Sequence, residues 1–219
     1  MIPDQKQCIK ILEENNVPTN VIEHSKTVTK VAVFLAKELK KTGEKINVAL
    51  LEAAAMLHDL DKIKTLDNGH QHGEVSFEIL SNDYKEVAEL IKKHRFHCVL
   101  DNQLQTWEEK IINYSDARCQ EDEIVSLDER IGYIMNRYPD ACFGRKEEAE
   151  KKIKLLEKEL LQKINLKPNK LAKAIEEQIL QQKKLRALKR KQKQHQGEPT
   201  SEIEAEKGEH VLAQKNLIN

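Results

Sequence analysis

His58-Asp59 closes the apolar run Ala49-Leu50-Leu51-Glu52-Ala53-Ala54-Ala55-Met56-Leu57, setting an imidazole beside a carboxylate at the end of a segment that reads as a buried helix. Taking both groups out of water is unfavourable unless something pairs with them. A divalent cation pairs with both at once, since imidazole nitrogen and carboxylate oxygen are ordinary ligands of first-row metals. His-Asp recurs by chance in many chains, so the weight comes from its surroundings: His24 before it, Lys62 just after it, then His72, His94 and Asp116. A catalytic ion needs several ligands in fixed geometry with a position left open for water and substrate. Rigid helices supply that geometry better than loops. His24, His58, Asp59 and Asp116 fall on three expected helices, each beside apolar residues that would anchor it, and could close around one ion. His72 and His94, at a loop-to-helix junction and a helix end, could hold a second ion bridged by Asp59. Two ions held in this way would activate water and polarise a phosphoryl oxygen together.

The elements that must position these groups are helical. The chain of 219 residues is 39% hydrophobic and 34% charged, with seven Gly, five Pro and four Phe, a profile poor in strand and turn formers. Residues 5–15 read as a short helix with Cys8, Ile9, Ile11 and Leu12 on its apolar side, and Asn15-Asn16-Val17-Pro18 breaks it. A long helix runs from about Pro18 to Lys41, with His24, Val28, Val31, Leu35 and Leu39 on one stripe. Gly43 stops it, and Asn47 is placed to cap the next, which is expected to run to about Leu60. Leu66 to Gly73 reads as a loop. Helices follow at 73–80, 84–93, 106–117, 127–138 and 146–166, and no segment alternates with period two for long enough to be a strand. The fold class is therefore all-α.

Equal numbers of acidic and basic residues, 37 each, leave no global charge to favour nucleic acid or a membrane. Cys8, Cys98, Cys119 and Cys142 are scattered, so reduced, buried thiols are expected rather than a disulfide framework or a zinc ribbon. No stretch approaches the ~20 apolar residues that span a bilayer, and the N-terminus has no signal-peptide pattern, so a cytoplasmic protein is expected. Three regions are expected: an N-terminal helix at 1–17, a body at 18–172, and a charged helical tail at 173–219, disordered at its end. Within the tail Lys183, Lys184, Arg186, Lys189, Arg190, Lys191 and Lys193 form a basic block, and Glu198, Glu202, Glu204, Glu206 and Glu209 an acidic one.

The ordered series His24, His58-Asp59, His72, His94, Asp116 resembles the HD-domain superfamily of metal-dependent phosphohydrolases. His58-Asp59-Leu60-Asp61-Lys62 is similar to the H-D-x-x-K form of its bacterial and archaeal HDIG-type members. His72-Gly73-Glu74-Val75-Ser76-Phe77-Glu78-Ile79-Leu80, Tyr114-Ser115-Asp116-Ala117-Arg118 and Ile124-Val125-Ser126-Leu127-Asp128-Glu129-Arg130 resemble later blocks of that group, and the likeness covers roughly 18–172. The resemblance implies a helical bundle with metal on His24, His58, Asp59 and Asp116. His72 and His94 match positions that bind a second metal in some members and substrate in others. The implied cofactor is one or two divalent ions, with Mn²⁺, Mg²⁺, Co²⁺, Fe²⁺ and Zn²⁺ all compatible with mixed nitrogen and oxygen ligands. The implied substrate is a small phosphoester, with a nucleotide favoured, cleaved as a monoester or a diester. Lys62 matches a cation placed near the phosphate, where it would offset charge on non-bridging oxygens. Arg118 is expected to assist in the same way.

Leu60-Asp61 departs from the usual small or apolar pair before the lysine. Asp61 is expected to face solvent or pair with Lys62, a general-acid role being the alternative. His70 and His97, without motif support, are expected at the surface, and Trp107 in core packing. The block at 183–193 is read as a solvated helix in preference to an RNA-binding one, since no aromatic residue interleaves it to stack bases. The rival to a hydrolase is a metal-containing nucleotide sensor or RNA-associated module without turnover.

Overall fold

A computed structural model describes residues 1–66, 72–137 and 144–195. Eleven α-helices appear among them: α1 (Gln5–Glu14), α2 (Thr19–Lys41), α3 (Val48–Leu57), α4 (Lys62–Leu66), α5 (Glu74–Leu80), α6 (Lys85–Ile91), α7 (Phe96–Leu100), α8 (Trp107–Ala117), α9 (Leu127–Arg137), α10 (Lys146–Lys163) and α11 (Leu171–His195). Short 3-10 turns span Lys92–His94 and Pro168–Lys170. The only strands among the described residues are β1 (Cys119–Gln120) and β2 (Glu123–Ile124), antiparallel with Cys119 opposite Ile124.

The sequence Val-Ala-Leu-Leu-Glu-Ala-Ala-Ala-Met-Leu of α3 is apolar on nearly every side, as a helix surrounded by others must be. It packs against α1, α2, α6 and α8. Along α2, Val28, Val31, Ala32, Leu35, Ala36 and Leu39 are fully buried, and Val87, Ala88 and Ile91 of α6 and Ile111 and Ile112 of α8 complete the core. Helix starts are set locally. Asp4 accepts from the Gln7 backbone N–H at 2.8 Å while the Gln7 side chain accepts from the Asp4 N–H. Asn47 accepts from the Leu50 N–H at 3.1 Å, as its position after Gly43 suggests. Thr106 and Glu109 form a second reciprocal cap on α8. Gly73 precedes α5 at φ +93°, a backbone conformation that glycine adopts without strain.

Three details depart from the sequence-based expectation. Helix α3 ends at Leu57, and residues 58–61 turn, with the Leu60 N–H bonded to the Leu57 carbonyl and the Lys62 N–H to the Asp59 carbonyl. Helix α7 and the β1–β2 hairpin were not expected; five and two residues are too short to show a period. Trp107 is half-buried rather than core, its Nε1–H donating to Glu44 at 2.6 Å with Lys110 and Lys163 over its ring. Cys8, Cys98 and Cys119 are buried free thiols. His70, Cys142 and the acidic segment of the tail lie outside the described residues.

The chain divides into two compact units, Met1–Ile175 and Glu176–Asn219. The first includes the start of α11, where Leu171 and Ile175 are buried. In the second, the described residues continue as helix to His195, with Leu180, Leu185 and Leu188 exposed.

Candidate metal centre

The turn 58–61 brings two helices and a 3-10 segment to one point. His58, ending α3, is fully buried and its Nδ1 lies 2.8 Å from the Ala55 carbonyl. His94, ending the 3-10 turn after α6, repeats the arrangement with the Ile91 carbonyl at 2.6 Å. His24, on the inward stripe of α2, places Nδ1 2.7 Å from the Glu121 carbonyl in the β1–β2 turn. A carbonyl only accepts, so each Nδ1 carries the hydrogen and each Nε2 offers its lone pair to the interior. The Nε2 atoms of His24 and His58 face the same pair of carboxylates, and that of His94 lies against His72.

Asp59 stands between them. Its Oδ2 is 3.5 Å from His58 Nε2, 3.8 Å from His24 Nε2 and 2.5 Å from Lys62 Nζ, while its Oδ1 is 2.9 Å from His72 Nε2. Asp116, from the last turn of α8, puts Oδ1 3.1 Å from His24 Nε2 and 3.7 Å from His58 Nε2. His72 Nε2 is 3.0 Å from His94 Nε2. Two groups of potential ligand atoms result, His24–His58–Asp59 and Asp59–His72–His94, each within 4.8 Å and joined at Asp59.

The surrounding charges divide the cluster: its carboxylates are held ionised, His94 is held neutral and His72 is drawn toward its cationic form. Burial opposes charge on Asp59, but His58, Lys62 and His72 overcome it and hold the carboxyl well below its usual range. Asp116 is likewise held low despite burial by His24, His58 and Arg130. Burial together with neighbouring His72 and His58 pushes His94 down to about 3, leaving it neutral. His72 rises to about 9 despite burial because Asp59 and Asp61 both face it. His58 Nε2 is buried, points at two carboxylates and has no hydrogen-bond partner among the described residues. A buried nitrogen lone pair opposite carboxylate oxygens is what a divalent cation would satisfy, so the residues present fit the expected ion.

Residues 21–124 match the HD domain family. This stretch, 104 of the 219 residues, is an HD domain. The match contains His24, His58, Asp59, His72, His94 and Asp116, and is narrower than the 18–172 over which the resemblance was drawn. The chain is 28% identical over 173 residues to a tRNA (cytidine(56)-2'-O)-methyltransferase of Picrophilus torridus, covering 73% of this chain and 47% of that one. It is 32% identical over 96 residues to the protein of the same name from Thermoplasma volcanium, covering 43% and 26%. An uncharacterised protein of Methanocaldococcus jannaschii is 27% identical over 169 residues, covering 71% of this chain and 95% of that one. The chain thus spans about half the length, or less, of the methyltransferases it matches. No solved structure matches it.

Around the HD-domain cluster, two expectations are corrected. Asp61 neither faces solvent nor pairs with Lys62. It is fully buried, with Oδ2 accepting from the Gly73 and Ser76 N–H groups at 2.8 and 2.9 Å and Oδ1 2.7 Å from His72 Nδ1. It therefore stands as an ion-pair partner against the one histidine of the cluster whose Nδ1 has no backbone carbonyl, the position from which carboxylates orient metal-ligating imidazoles. Arg118 is not placed for a phosphate. Its guanidinium is buried and donates to the Val125 carbonyl at 2.6 Å, the Tyr114 hydroxyl at 2.7 Å, Glu157 at 2.8 Å and the Pro168 carbonyl at 3.3 Å.

Lys62 does reach the site, a third exposed and bonded to Asp59. His97 is half-buried on α7 beside Cys98 Sγ at 3.6 Å, outside both ligand groups. Arg130 was missed as a site residue. It extends from α9 to within 3.6 Å of Asp116 Oδ1. The signal was its place between Leu127 and Ile131, the buried pair of α9, which puts it at the margin of the inward face. Lys62, His24 and Arg130 line a cavity of about 540 Å³ together with Tyr133, Arg137 and the acidic residues Glu23 and Asp122.

Proposed function

We propose that the chain is a metal-dependent phosphohydrolase that cleaves a small phosphoester, with a nucleotide the favoured substrate. The observation that carries this reading is the pair of ligand groups sharing Asp59 beside a cavity lined by Lys62 and Arg130. His24, His58, Asp59 and Asp116 would hold one ion, and His72 and His94 a second with Asp59. When bound, the ion supplies a water-derived nucleophile at neutral pH and polarises the phosphoryl oxygen. The chain's own residues then do the rest. Backbone carbonyls and Asp61 keep each imidazole turned toward the ion, and Lys62 sets a positive charge at the edge of the cavity, where negative charge grows on the phosphate. Methyl transfer, named for two of the relatives, is not carried over: the chain spans half or less of them, and a His/Asp cluster of this kind suits a cation and water.

The test is phosphate release from nucleoside mono-, di- and triphosphates and bis(p-nitrophenyl) phosphate, with stripped protein refilled with Mn²⁺, Co²⁺ or Mg²⁺. Metal-dependent turnover of any ester is the expected result. Stoichiometric metal binding with no turnover across the panel favours the sensor reading instead.

Asp61→Asn gives a sharper check on the second ligand group. The amide oxygen can still accept from Gly73 and Ser76, but the amide nitrogen would then face His72 Nδ1 as a donor, leaving the hydrogen on Nε2. Metal affinity at the His72 side should fall about 10–100-fold, read by titration, while the affinity of the His24 side stays within error. Two unchanged affinities would remove the orienting role.

A second reading concerns RNA. Two relatives bear the names of enzymes acting on tRNA, and helix α11 carries the basic block 183–193. Association with tRNA through that block is expected to show as a salt-sensitive gel shift that disappears on deleting 176–219. An unchanged shift would clear the tail of any part in it.

A further inference from the structure

Arg130 is placed beyond the HD-domain match at 21–124 and is not one of its ligand positions. Its side chain is 12% exposed, a low figure for a group that is always charged. Guanidinium offers five N–H donors in a planar fork, yet its closest carboxylate oxygen, Asp116 Oδ1, is 3.6 Å away, beyond hydrogen-bond length. That oxygen already faces His24 at 3.1 Å. The Arg130 Nε is buried without a hydrogen-bond partner among the described residues. Tyr133, one turn along α9, lies with its ring centre 5.8 Å from the guanidinium carbon and limits where the fork can turn. A largely buried cation with an unsatisfied Nε–H is unfavourable unless an anion completes it.

The cavity supplies the place for that anion. Arg130 and Lys62 both line it, as does His24 of the ligand cluster. Lys62 is bonded to Asp59 and Arg130 is drawn toward Asp116, so the two cations stand over the two carboxylates of the cluster. A tetrahedral anion entering beside the ions would meet both cations. Bidentate recognition of phosphate is what the arginine fork does better than a lysine.

We propose that Arg130 is a substrate-binding residue that grips the non-bridging oxygens of the scissile phosphate opposite Lys62. The inference rests on the hydrolase reading for what the phosphate is doing there, but the subsite itself is tested by binding. The rest of the lining mixes the acidic Glu23, Glu121 and Asp122 with Asn20, Tyr133 and Arg137, so it presents both donors and acceptors to the remainder of the ester.

The experiment is calorimetric titration of inorganic phosphate into the full chain saturated with Mn²⁺, comparing wild type, Arg130→Gln and Arg130→Lys, with Mn²⁺ per chain measured in each. Arg130→Gln should weaken phosphate binding about tenfold or more at unchanged Mn²⁺ content, and Arg130→Lys should fall between it and wild type. Phosphate binding equal to wild type in Arg130→Gln overturns the proposal. A loss that merely tracks lost Mn²⁺ also overturns it, because the arginine would then act only by supporting Asp116. If Arg130→Gln does not fold, Arg130→Lys decides by the same criterion: unaltered affinity means that the fork is not the contact. Absence of phosphate binding to wild type overturns the subsite. Arg130-dependent phosphate binding without turnover of any ester leaves the subsite standing and overturns the hydrolase reading alone.

Discussion

Asp59→Ala is expected to abolish metal binding and turnover together. Both carboxylate oxygens are in use: Oδ2 faces His58, His24 and Lys62, and Oδ1 faces His72. No other residue belongs to both ligand groups. Alanine would leave each group with two imidazoles, one of the sets aided by Asp116, and would leave Lys62 without the anion that draws it in. Lewis-acid stabilisation is worth several kcal/mol, so turnover should fall by about 10³-fold or more, with metal content well below one ion per chain. Metal analysis of the purified variant and phosphate release under the conditions that activate the wild type check this. Full metal content with wild-type turnover would remove Asp59 from the centre and, with it, the proposed chemistry. Asp59→Asn keeps the volume and separates loss of charge from loss of packing.

The second large effect is on stability. Arg118→Ala should destabilise the fold by ~3–5 kcal/mol, because it leaves the buried Tyr114 hydroxyl and the largely covered Glu157 carboxylate without their cation. The guanidinium ties four segments together: α8 through Tyr114, the strand-to-α9 link through the Val125 carbonyl, α10 through Glu157, and the turn before α11 through the Pro168 carbonyl. For a chain of this size the melting temperature should drop by roughly 6–20 °C. Metal stoichiometry at low temperature should be that of the wild type. Normal melting with impaired turnover would restore the phosphate-binding role that the sequence suggested for Arg118.

Arginine 118 and arginine 130 together explain what could be read in advance. Ligand candidates were legible because His24, His58-Asp59, His94 and Asp116 combine a chemical type with a helical phase. The expected helix bounds were close wherever a cap or breaker stood, as at Asp4, Asn47 and Thr106. Arg118 and Arg130 each follow a recognisable block, and sequence distance favoured the one nearer Asp116. Only the packing of α9 on α8 reverses that choice, and its geometry has no local signature. Asp61 beside Lys62 looked like a surface pair because the Gly73 and Ser76 amides that bury it come from a different helix start. The Glu121 carbonyl that orients His24 is a backbone atom, and its residue type carries no trace of the task.

The stopping points of α3 and of the turn after α6 have a consequence of their own. The Ala55 and Ile91 carbonyls accept from the ring of a histidine three residues on, and each of these histidines stands where its helix or turn stops. Where each helix stops is therefore part of how the imidazole is aimed. A substitution that lengthened α3 by one turn would supply the Ala55 carbonyl with an amide partner, free the His58 ring to rotate, and alter the centre without changing any residue in it. The segments least free to drift in register are those two helix ends.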